Sequence, residues 1–227
     1  YVDFSACEDL GIPIVNTPNM FGTEVADIAM GYIIGLARET FQIDRGVRAG
    51  FWPKPSGISL AGKLAALIGL GDIGMNVAKR MIASDMNILG YDPCFDLSKN
   101  ISGLNHEEWP LRIEEADFIV ITCSLTESSK HMINETLLMK VKPGVRLVNV
   151  GRGSVIDEGA LEAALRSERV YSAALDVFET EPLPRNSYLR EHPRCILGSH
   201  NASNSSDAVI RTSTIAIEKL MAFLNEQ

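Results

Sequence analysis

The segment Gly69-Leu70-Gly71-Asp72-Ile73-Gly74 decides the fold of this 227-residue chain, because it joins a strand-like apolar run to a helical segment. A glycine-rich turn between a strand and a helix is typical of a dinucleotide-binding site. The first glycine permits the tight turn, the second lets the backbone approach a pyrophosphate, and the third lets the helix lie close to the strand. The phosphates would meet N–H groups at the helix N-terminus, where the dipole favours negative charge. A plain glycine turn is the alternative, and the strand and helix around the segment favour the dinucleotide site.

An acidic residue, Asp92, follows the next apolar run, residues 87–91. A carboxylate at this point accepts hydrogen bonds from ribose hydroxyls and repels a 2′-phosphate, so we expect NAD rather than NADP as the cofactor. Asp92 also precedes Pro93, and Asp-Pro turns are common at strand ends; both roles can hold together. A second acid, Asp72, lies inside the glycine turn. Its charge is unfavourable beside a pyrophosphate, so we expect its side chain to point outward and only its backbone N–H to lie near the ligand.

Short apolar runs alternate with helical segments through most of the chain. This alternation predicts an α/β fold, a Rossmann-type doubly wound parallel sheet with helices on both faces. We predict strands at residues 64–69, 87–91, 118–123, 145–150, 172–177 and 195–199, and helices at residues 73–84, 134–139, 158–167 and 206–225. Before the first of these strands, the sequence predicts a short helix at residues 5–10, a strand at residues 12–16 and a long helix that is capped by Thr23 and ends near residue 48.

The composition excludes several classes of protein. The chain is 46% hydrophobic and 22% charged, which is ordinary for a globular protein, and its net charge of −8 argues against a nucleic-acid or anionic-membrane surface. A small anionic ligand would therefore need a local cation. The four cysteines lack metal-ligand spacing, so we expect free thiols in a reducing cytoplasm and no bound metal. No apolar run reaches membrane-spanning length. The chain starts at Tyr1 without an initiator methionine, and we expect a fragment of a longer protein.

Three residues with catalytic potential follow predicted strands, at the edge of a parallel sheet where ligands bind. Arg152 lies between Gly151 and Gly153, where its guanidinium can hold a carboxylate by paired hydrogen bonds. A surface arginine on a glycine turn is an equally good interpretation of this segment alone. His200 suits proton exchange near neutral pH. A single histidine is more often structural, but the arrival of Arg152 and Glu181 at the same edge favours a catalytic role, with Glu181 orienting the imidazole.

The remaining acids and histidines receive other interpretations. Asp176 lies on a predicted strand, where a buried carboxylate needs a partner, and a nicotinamide carboxamide would supply one. We interpret Glu179 as a solvated side chain. The other histidines have no comparable neighbours in the predicted sheet, and we interpret them as surface or loop residues: His106, His131 and His192.

These motifs together resemble the D-isomer-specific 2-hydroxyacid dehydrogenase family, and most closely its phosphoglycerate dehydrogenase-like members. The resemblance spans nearly the whole chain, and its motifs occur in the family's order. It rests on residues 11–18, 69–74, 90–93, 149–157, 174–182 and 198–203. One motif departs from the family, because its Pro-Leu-Thr turn after the fourth strand is Ser124-Leu125-Thr126 in this chain.

The resemblance implies a reversible hydride transfer between a nicotinamide ring and the hydroxyl-bearing carbon of a D-2-hydroxy acid. In that reaction His200 would take the hydroxyl proton, Glu181 would hold the imidazole and stabilise its charged form, and Arg152 would bind the substrate carboxylate. The family's contacts with NAD would carry over to Gly69, Gly71, Asp72, Ile73, Gly74, Asp92, Cys123, Thr126, Val150, Gly151, Arg152, Asp176, His200, Ala202 and Ser203.

The resemblance also implies how the chain is organised. Residues 1–18 would be the C-terminal remnant of a substrate-binding domain, residues 19–203 the NAD-binding Rossmann domain, and residues 204–227 a helix that returns to the substrate-binding domain. The helix near residues 23–48 would form part of a homodimer interface. We expect D-3-phosphoglycerate as the substrate. The alternative within the class is a hydroxypyruvate or glyoxylate reductase, and the alternative outside it is a non-catalytic, NAD-sensing, corepressor-like protein.

Overall fold

The computed structural model describes residues 2–225 of the chain. Two compact units are present: the larger contains Gly22–Ser203, and the smaller combines the residues up to Phe21 with those from Asn204 onward. In chain order the helices are α1 (Phe4–Asp9), α2 (Gly22–Arg38), α3 (Thr40–Arg48), α4 (Asp72–Ala83), α5 (Glu135–Lys140), α6 (Glu158–Arg166) and α7 (Ser206–Asn225). The strands are β1 (Leu64–Ile68), β2 (Asn87–Tyr91), β3 (Leu104–His106), β4 (Phe118–Ile121), β5 (Val145–Asn149), β6 (Val170–Leu175) and β7 (Cys195–Leu197).

The strands form one seven-stranded sheet in the larger unit, in the order β3-β2-β1-β4-β5-β6-β7, and every neighbouring pair is parallel. This topology confirms the predicted Rossmann-type α/β fold. From β1 the chain proceeds to β2 and β3 on one side of the sheet, and from β4 onward on the other. The topological switch therefore lies between β1 and β4, where ligands bind beyond the carboxyl ends of the strands. The glycine turn follows β1 directly, at this point.

The central strands are buried on both faces, which explains their near-continuous apolar sequences. In β4 every residue from Phe118 to Ile121 is fully buried, and Ala65 and Leu67 in β1 are fully buried as well. α2 packs against α4 and across β5, β6 and β7. Burying this apolar surface away from water favours a single arrangement of the strands. That arrangement in turn fixes where the loops that follow the strands begin.

Parts of the predicted secondary structure are wrong. Residues 12–16, expected as a strand, form no strand. The helix expected from Thr23 to residue 48 begins at Gly22 and is interrupted at Glu39, whose φ of 55° lies in the left-handed region. The Glu39 carboxylate is buried and accepts a hydrogen bond of 2.7 Å from the Tyr171 hydroxyl, a long-range contact that local patterns do not reveal. β3 was not predicted, because its 3 residues are too few to show a period.

The smaller unit consists of α1, the segment that follows it, and α7. Asp3 caps α1 by accepting a hydrogen bond of 3.0 Å from the Ala6 N–H, and Lys219 on α7 donates to the Asn16 carbonyl at 2.7 Å. Several apolar side chains of this unit are exposed, among them Phe4, Ile12, Val209, Ile217 and Leu220. No helix within residues 2–225 combines the length and hydropathy that a membrane crossing requires.

Candidate active site and cofactor site

The glycine turn is shaped by close packing at its first and third glycines. Gly69 has a φ of +95°, and its N–H donates to the Tyr91 carbonyl at 2.9 Å. A Cβ atom on Gly69 would lie 2.7 Å from the Cα of Cys123, and one on Gly74 would overlap the Gly69 carbonyl oxygen. Glycine is therefore required at both positions for reasons internal to the protein, as the motif predicts.

Gly71 differs, because a Cβ atom there would meet no protein atom within 4 Å. Gly71 is the N-cap of α4, so this open space lies at the positive end of the helix dipole, next to the half-buried Ile73 in the first turn. A pyrophosphate can approach the backbone here, as phosphates do at helix N-termini. The turn therefore meets the steric and electrostatic requirements of a dinucleotide, and these residues fit NAD.

The Asp72 carboxylate is half-buried, whereas we expected it to point outward. It packs against Gly22 at the start of α2, where a Cβ atom would overlap it, and it accepts a hydrogen bond of 3.2 Å from Asn76 Nδ2. The N-terminus of α2 carries the same favourable dipole as that of α4. The negative charge inside the glycine turn is thus directed at the N-terminus of a second helix.

Asp92 lies directly after β2 and braces the glycine turn. Its Oδ2 accepts a hydrogen bond of 2.9 Å from the N–H of Leu70, and its Oδ1 accepts one of 2.9 Å from the N–H of Cys94. The hydrogen bond from Leu70 connects the Asp92 carboxylate to the glycine turn. The hydrogen bond from Cys94 forms the turn expected at Asp-Pro. Each carboxylate oxygen has a further lone pair, so Asp92 retains acceptor capacity for ribose hydroxyls.

Cys123, just beyond β4, is the point at which the loops after β1 and β5 meet. The glycine turn packs on one side of its backbone, and a Cβ atom on Gly151 would lie 2.7 Å from its carbonyl oxygen. Burial raises the pKa of the Cys123 thiol to about 11, so the thiol is protonated at neutral pH. The next turn is closed by the Ser129 hydroxyl, which accepts from the Thr126 N–H at 2.7 Å and donates to the Ser124 carbonyl at 2.8 Å.

Arg152 projects from a turn whose shape is set by its neighbours. Asn149 at the end of β5 is fully buried: its Oδ1 accepts from the Gly151 N–H and its Nδ2 donates to the Arg152 carbonyl, each at 3.0 Å. A Cβ atom on Gly153 would overlap the backbone of Phe178. Arg152 itself is exposed, and its Nη1 donates to the Gly151 carbonyl at 2.7 Å. We did not predict Asn149, although an amide in a buried apolar strand is a signal that would have identified it.

Glu181 and His200 lie side by side at the carboxyl edge of the sheet. The Nδ1 of His200 is 2.7 Å from Glu181 Oε2, and the Phe178 N–H donates to Glu181 Oε1 at 3.0 Å. Burial raises the pKa of Glu181, but the hydrogen bonds from His200 and Phe178 and the charges of His200 and Arg152 lower that pKa to below its usual range. Glu181 is therefore ionised at neutral pH and holds Nδ1, which leaves Nε2 of the imidazole for a substrate. Arg152 follows β5 at the same edge of the sheet, and its charge is among those that lower the pKa of Glu181.

Asp176 is buried, and partners inside the protein satisfy its carboxylate. Its Oδ2 accepts from the Ala202 N–H at 2.9 Å and its Oδ1 from the Asn201 N–H at 3.3 Å. The Asp176 carbonyl also accepts a hydrogen bond of 2.7 Å from the N–H of His200. The φ of His200 is 56°, in the left-handed region. Asp176 therefore fastens the turn that carries His200. We did not predict this role, because the sequence suggested only a nicotinamide as its partner.

Tyr32, on α2, also reaches this site. Its hydroxyl lies 3.5 Å from Asp176 Oδ1, and a Cβ atom on Gly198 would overlap that carboxylate oxygen and lie 2.5 Å from the hydroxyl. Burial, together with the neighbouring Asp176 charge, raises the pKa of Tyr32 to about 12. Tyr32 lies 144 residues from Asp176 in the sequence, so no local pattern marks it.

Glu179, interpreted as solvated, is part of a network beside the Glu181–His200 pair. Its Oε1 pairs with Nε2 of His131, and its Oε2 accepts from the Glu158 N–H at 3.2 Å, at the first turn of α6. Burial raises the pKa of Glu158. Glu179 is exposed and His131 lies in a loop, as interpreted, but the pairing of the two side chains was not predicted. The network joins the loops that follow β4, β5 and β6.

The other predicted residues lie around this edge. Val150 is buried and its N–H donates to the Ile121 carbonyl at 3.1 Å, and Ser203 is half-buried after Ala202. His106 ends β3, and its Nε2 lies 2.9 Å from the Asp92 carbonyl.

His192 lies in a loop, in agreement with its interpretation as a surface or loop residue, but its side chain is buried and burial lowers its pKa. Within residues 2–225, no group of histidine, cysteine and carboxylate side chains has the arrangement of a metal site.

A cavity of about 570 Å³ opens beside the Glu181–His200 pair. Its walls combine the apolar side chains Phe178, Leu183 and Leu197 with polar groups, and Arg190 contributes a cation. Arg152 is not among the residues that line it. We did not predict the cavity or Arg190.

Comparison with known proteins adds independent evidence. Residues 30–202 match the family model for the D-isomer specific 2-hydroxyacid dehydrogenase, NAD binding domain. The chain is 35% identical to the glyoxylate reductase of Thermofilum pendens, over 99% of this chain and 68% of that protein. It is 37% identical to the D-3-phosphoglycerate dehydrogenase of Sus scrofa, over 92% of this chain and 40% of that protein. A solved glyoxylate reductase from Paecilomyes thermophila superposes with a TM-score of 0.89 at 31% identity, over 97% of this chain and 68% of the other.

Proposed function

This chain belongs to the D-isomer specific 2-hydroxyacid dehydrogenase family and contains its NAD-binding domain, and from that membership we propose that it transfers a hydride between NAD and a small D-2-hydroxy acid. The observation that carries this proposal is the Glu181–His200 pair, 2.7 Å apart, at the sheet edge to which the turn after β5 also brings Arg152. A base, an orienting carboxylate and a fixed cation at the carboxyl edge of a Rossmann sheet are suited to this reaction.

Each side chain has a role that its surroundings support. The Nε2 of His200, opposite the nitrogen that Glu181 holds, takes the hydroxyl proton during oxidation and returns it during reduction. Glu181 stabilises the imidazolium that forms. Arg152 binds the substrate carboxylate by paired hydrogen bonds and polarises the oxo group in the reverse direction. When NAD is bound, its nicotinamide ring supplies the acceptor or donor of the hydride.

The residues that would hold NAD lie along the carboxyl edge. We propose that the backbone from Gly69 to Gly74 holds the pyrophosphate and that Asp92 holds the adenosine ribose. The remaining contacts would be made by Cys123, Thr126, Val150, Gly151, Arg152, Asp176, His200, Ala202 and Ser203. Residues 1–18 and 204–227 would belong to a substrate-binding domain.

The substrate that we propose is D-3-phosphoglycerate. A hydroxypyruvate or glyoxylate reductase is the alternative within the family, since the chain is about equally similar to a glyoxylate reductase and a phosphoglycerate dehydrogenase, at 35% and 37% identity. A non-catalytic NAD-sensing protein is the alternative outside it, because a fold and a set of residues do not by themselves prove turnover.

The proposed function is tested by NADH oxidation, followed by nicotinamide absorbance in the full-length protein, with glyoxylate, hydroxypyruvate and 3-phosphohydroxypyruvate. We expect turnover of at least one acid, and a D-configured product from hydroxypyruvate or 3-phosphohydroxypyruvate, since the product of glyoxylate is achiral. Binding of NADH without turnover of any acid would support the NAD-sensing alternative. Failure to bind NADH at all would contradict both.

Asp92 is expected to set the preference for NAD. Replacing Asp92 by serine should raise kcat/KM for NADPH relative to NADH by about 10-fold or more. The variant loses a charged hydrogen-bond acceptor for the ribose of NADH, and it also loses the repulsion against the 2′-phosphate of NADPH. The substitution also removes the hydrogen bond from the Leu70 N–H, which should weaken the binding of NADH and NADPH equally. The ratio of the two kcat/KM values therefore reports on the ribose contact alone. Asp96→Ser, at an exposed acid on the same segment, is the matched control. An unchanged ratio in Asp92→Ser would refute the ribose role.

We also propose a homodimer. The region of α2, α3 and the segment after them exposes several large apolar side chains: Ile34, Phe41, Val47, Phe51 and Trp52. Exposed apolar patches are a common mark of protein–protein interfaces. Sedimentation at micromolar concentration should give twice the 24.8 kDa mass of this chain, and Trp52→Glu should lower the dimer fraction, whereas Leu97→Glu, at an exposed leucine beyond β2, should not. A monomeric parent protein would reject the proposal.

A further inference from the structure

Arg190 is a cation in the wall of the cavity that also contains Glu181 and His200. It ends a single turn of 3-10 helix, Tyr188–Arg190, in which Leu189 is fully buried and its N–H donates to the Ser187 hydroxyl at 3.3 Å. The backbone that carries Arg190 is therefore anchored in the core rather than mobile on the surface.

The guanidinium of Arg190 is also held in place. Its Nε donates to the Pro184 carbonyl at 2.9 Å, and its Nη2 donates to the Leu183 carbonyl. These two bonds use part of its five N–H donors and leave the rest available to a ligand. A guanidinium oriented in this way loses little conformational entropy when it binds an anion.

The charge of Arg190 is not neutralised by a carboxylate within ion-pair distance in the described part of the chain. Other arginines of the same unit are paired, for example Arg194 with Glu168 at 2.9 Å and Arg112 with Glu107 at 2.9 Å. Carbonyl oxygens orient a guanidinium without cancelling its charge. Arg190 is thus an exposed, oriented cation in the cavity wall, available to an anion that enters the cavity.

The size of the cavity and the position of a second cation point to the same kind of ligand. A volume of about 570 Å³ is in the usual range for small-molecule sites, roughly 300–1,000 Å³, and exceeds what a two-carbon acid fills. Arg152 would hold the carboxylate next to the reacting carbon, and it does not line this cavity. A substrate with a single carboxylate would leave Arg190 without a counter-ion.

We propose that the substrate carries a second anionic group, a carboxylate or a phosphate, at the end remote from the reacting carbon, and that Arg190 binds it. The substrate would extend from Arg152, past the imidazole of His200, into the cavity. This inference rests on the proposed function. It favours a dianionic 2-hydroxy acid over glyoxylate, which has no second charge.

The test compares Arg190→Gln with the parent in the full-length protein, using glyoxylate, 2-oxoglutarate and 3-phosphohydroxypyruvate. We expect the ratio of kcat/KM for a dianion to that for glyoxylate to fall about 10- to 100-fold, as for the loss of a charged hydrogen-bond partner. The two dianions distinguish a carboxylate from a phosphate. Arg190→Lys should restore part of the ratio, and Arg185→Gln, at an exposed arginine of the same loop outside the cavity wall, should not change it. An unchanged ratio in Arg190→Gln overturns the proposal.

A binding experiment separates this inference from the proposed function. In calorimetric titrations of the NADH-loaded protein, succinate should bind the parent at least about 10-fold more tightly than it binds Arg190→Gln, and acetate should show a smaller difference. Equal affinity for succinate in the two proteins overturns the role of Arg190. Absence of turnover with every acid, together with a retained difference for succinate, overturns the proposed function alone.

Discussion

Replacing His200 by alanine is expected to slow hydride transfer by about 100- to 10,000-fold, the contribution usually made by a positioned general acid–base. The reason is geometric: Glu181 holds Nδ1 at 2.7 Å, so that Nε2 is the atom that exchanges a proton with the substrate. NADH binding should fall much less than the rate, because His200 is one of many proposed contacts and the glycine turn is unchanged. Single-turnover absorbance measures the rate, and NADH fluorescence titration measures binding.

Two companion variants separate the roles of the three residues. Glu181→Gln keeps a hydrogen-bond acceptor but removes the negative charge that stabilises the imidazolium, so its rate should lie between those of the parent and His200→Ala. Arg152→Ala should raise KM and lower kcat together, since its pairing with the substrate carboxylate persists into the transition state. A His200→Ala variant that retains more than a tenth of the parent rate would remove His200 from the mechanism.

Gly74→Ala is expected to destabilise the fold by about 3 kcal/mol, the upper range for inserting a methyl group into a packed site. The added Cβ would overlap the carbonyl oxygen of Gly69, which is backbone and therefore cannot rotate away. Either α4 or the turn after β1 must move, and cofactor binding should fall with stability. Urea denaturation followed by circular dichroism measures the free energy of unfolding.

Gly71→Ala is the matched control from the same turn. Its φ of −70° suits alanine, and the new Cβ would meet no protein atom within 4 Å, so the free energy of unfolding should change by less than about 1 kcal/mol. The same methyl group would enter the space through which a pyrophosphate approaches the backbone, so NADH affinity should fall even though the fold is intact. Equal NADH affinity in Gly71→Ala and the parent would show that the phosphates bind elsewhere.

The predicted fold agrees with the structure where the evidence in the sequence is local. The strand at residues 118–123 corresponds to β4, and the helix at residues 206–225 has the bounds of α7. Arg152, Glu181 and His200 were identified because each follows a strand of a parallel sheet, whose carboxyl ends share one edge. The long helix expected from Thr23 was wrong because Glu39 turns inward to Tyr171, which is remote in sequence.

The sequence by itself determined the parallel α/β fold, the glycine turn for NAD and the three candidate catalytic residues, because periodicity, turn chemistry and strand ends are properties of neighbouring residues. Only the tertiary structure decided which polar groups support them: the buried Asp176 fastens the His200 turn, the exposed Glu179 joins His131 to α6, and the exposed Arg190 faces the cavity. Each of these depends on groups that folding brings together from distant parts of the chain. A side chain's partners are set by the packing of whole elements, and no local pattern of residue types encodes that packing.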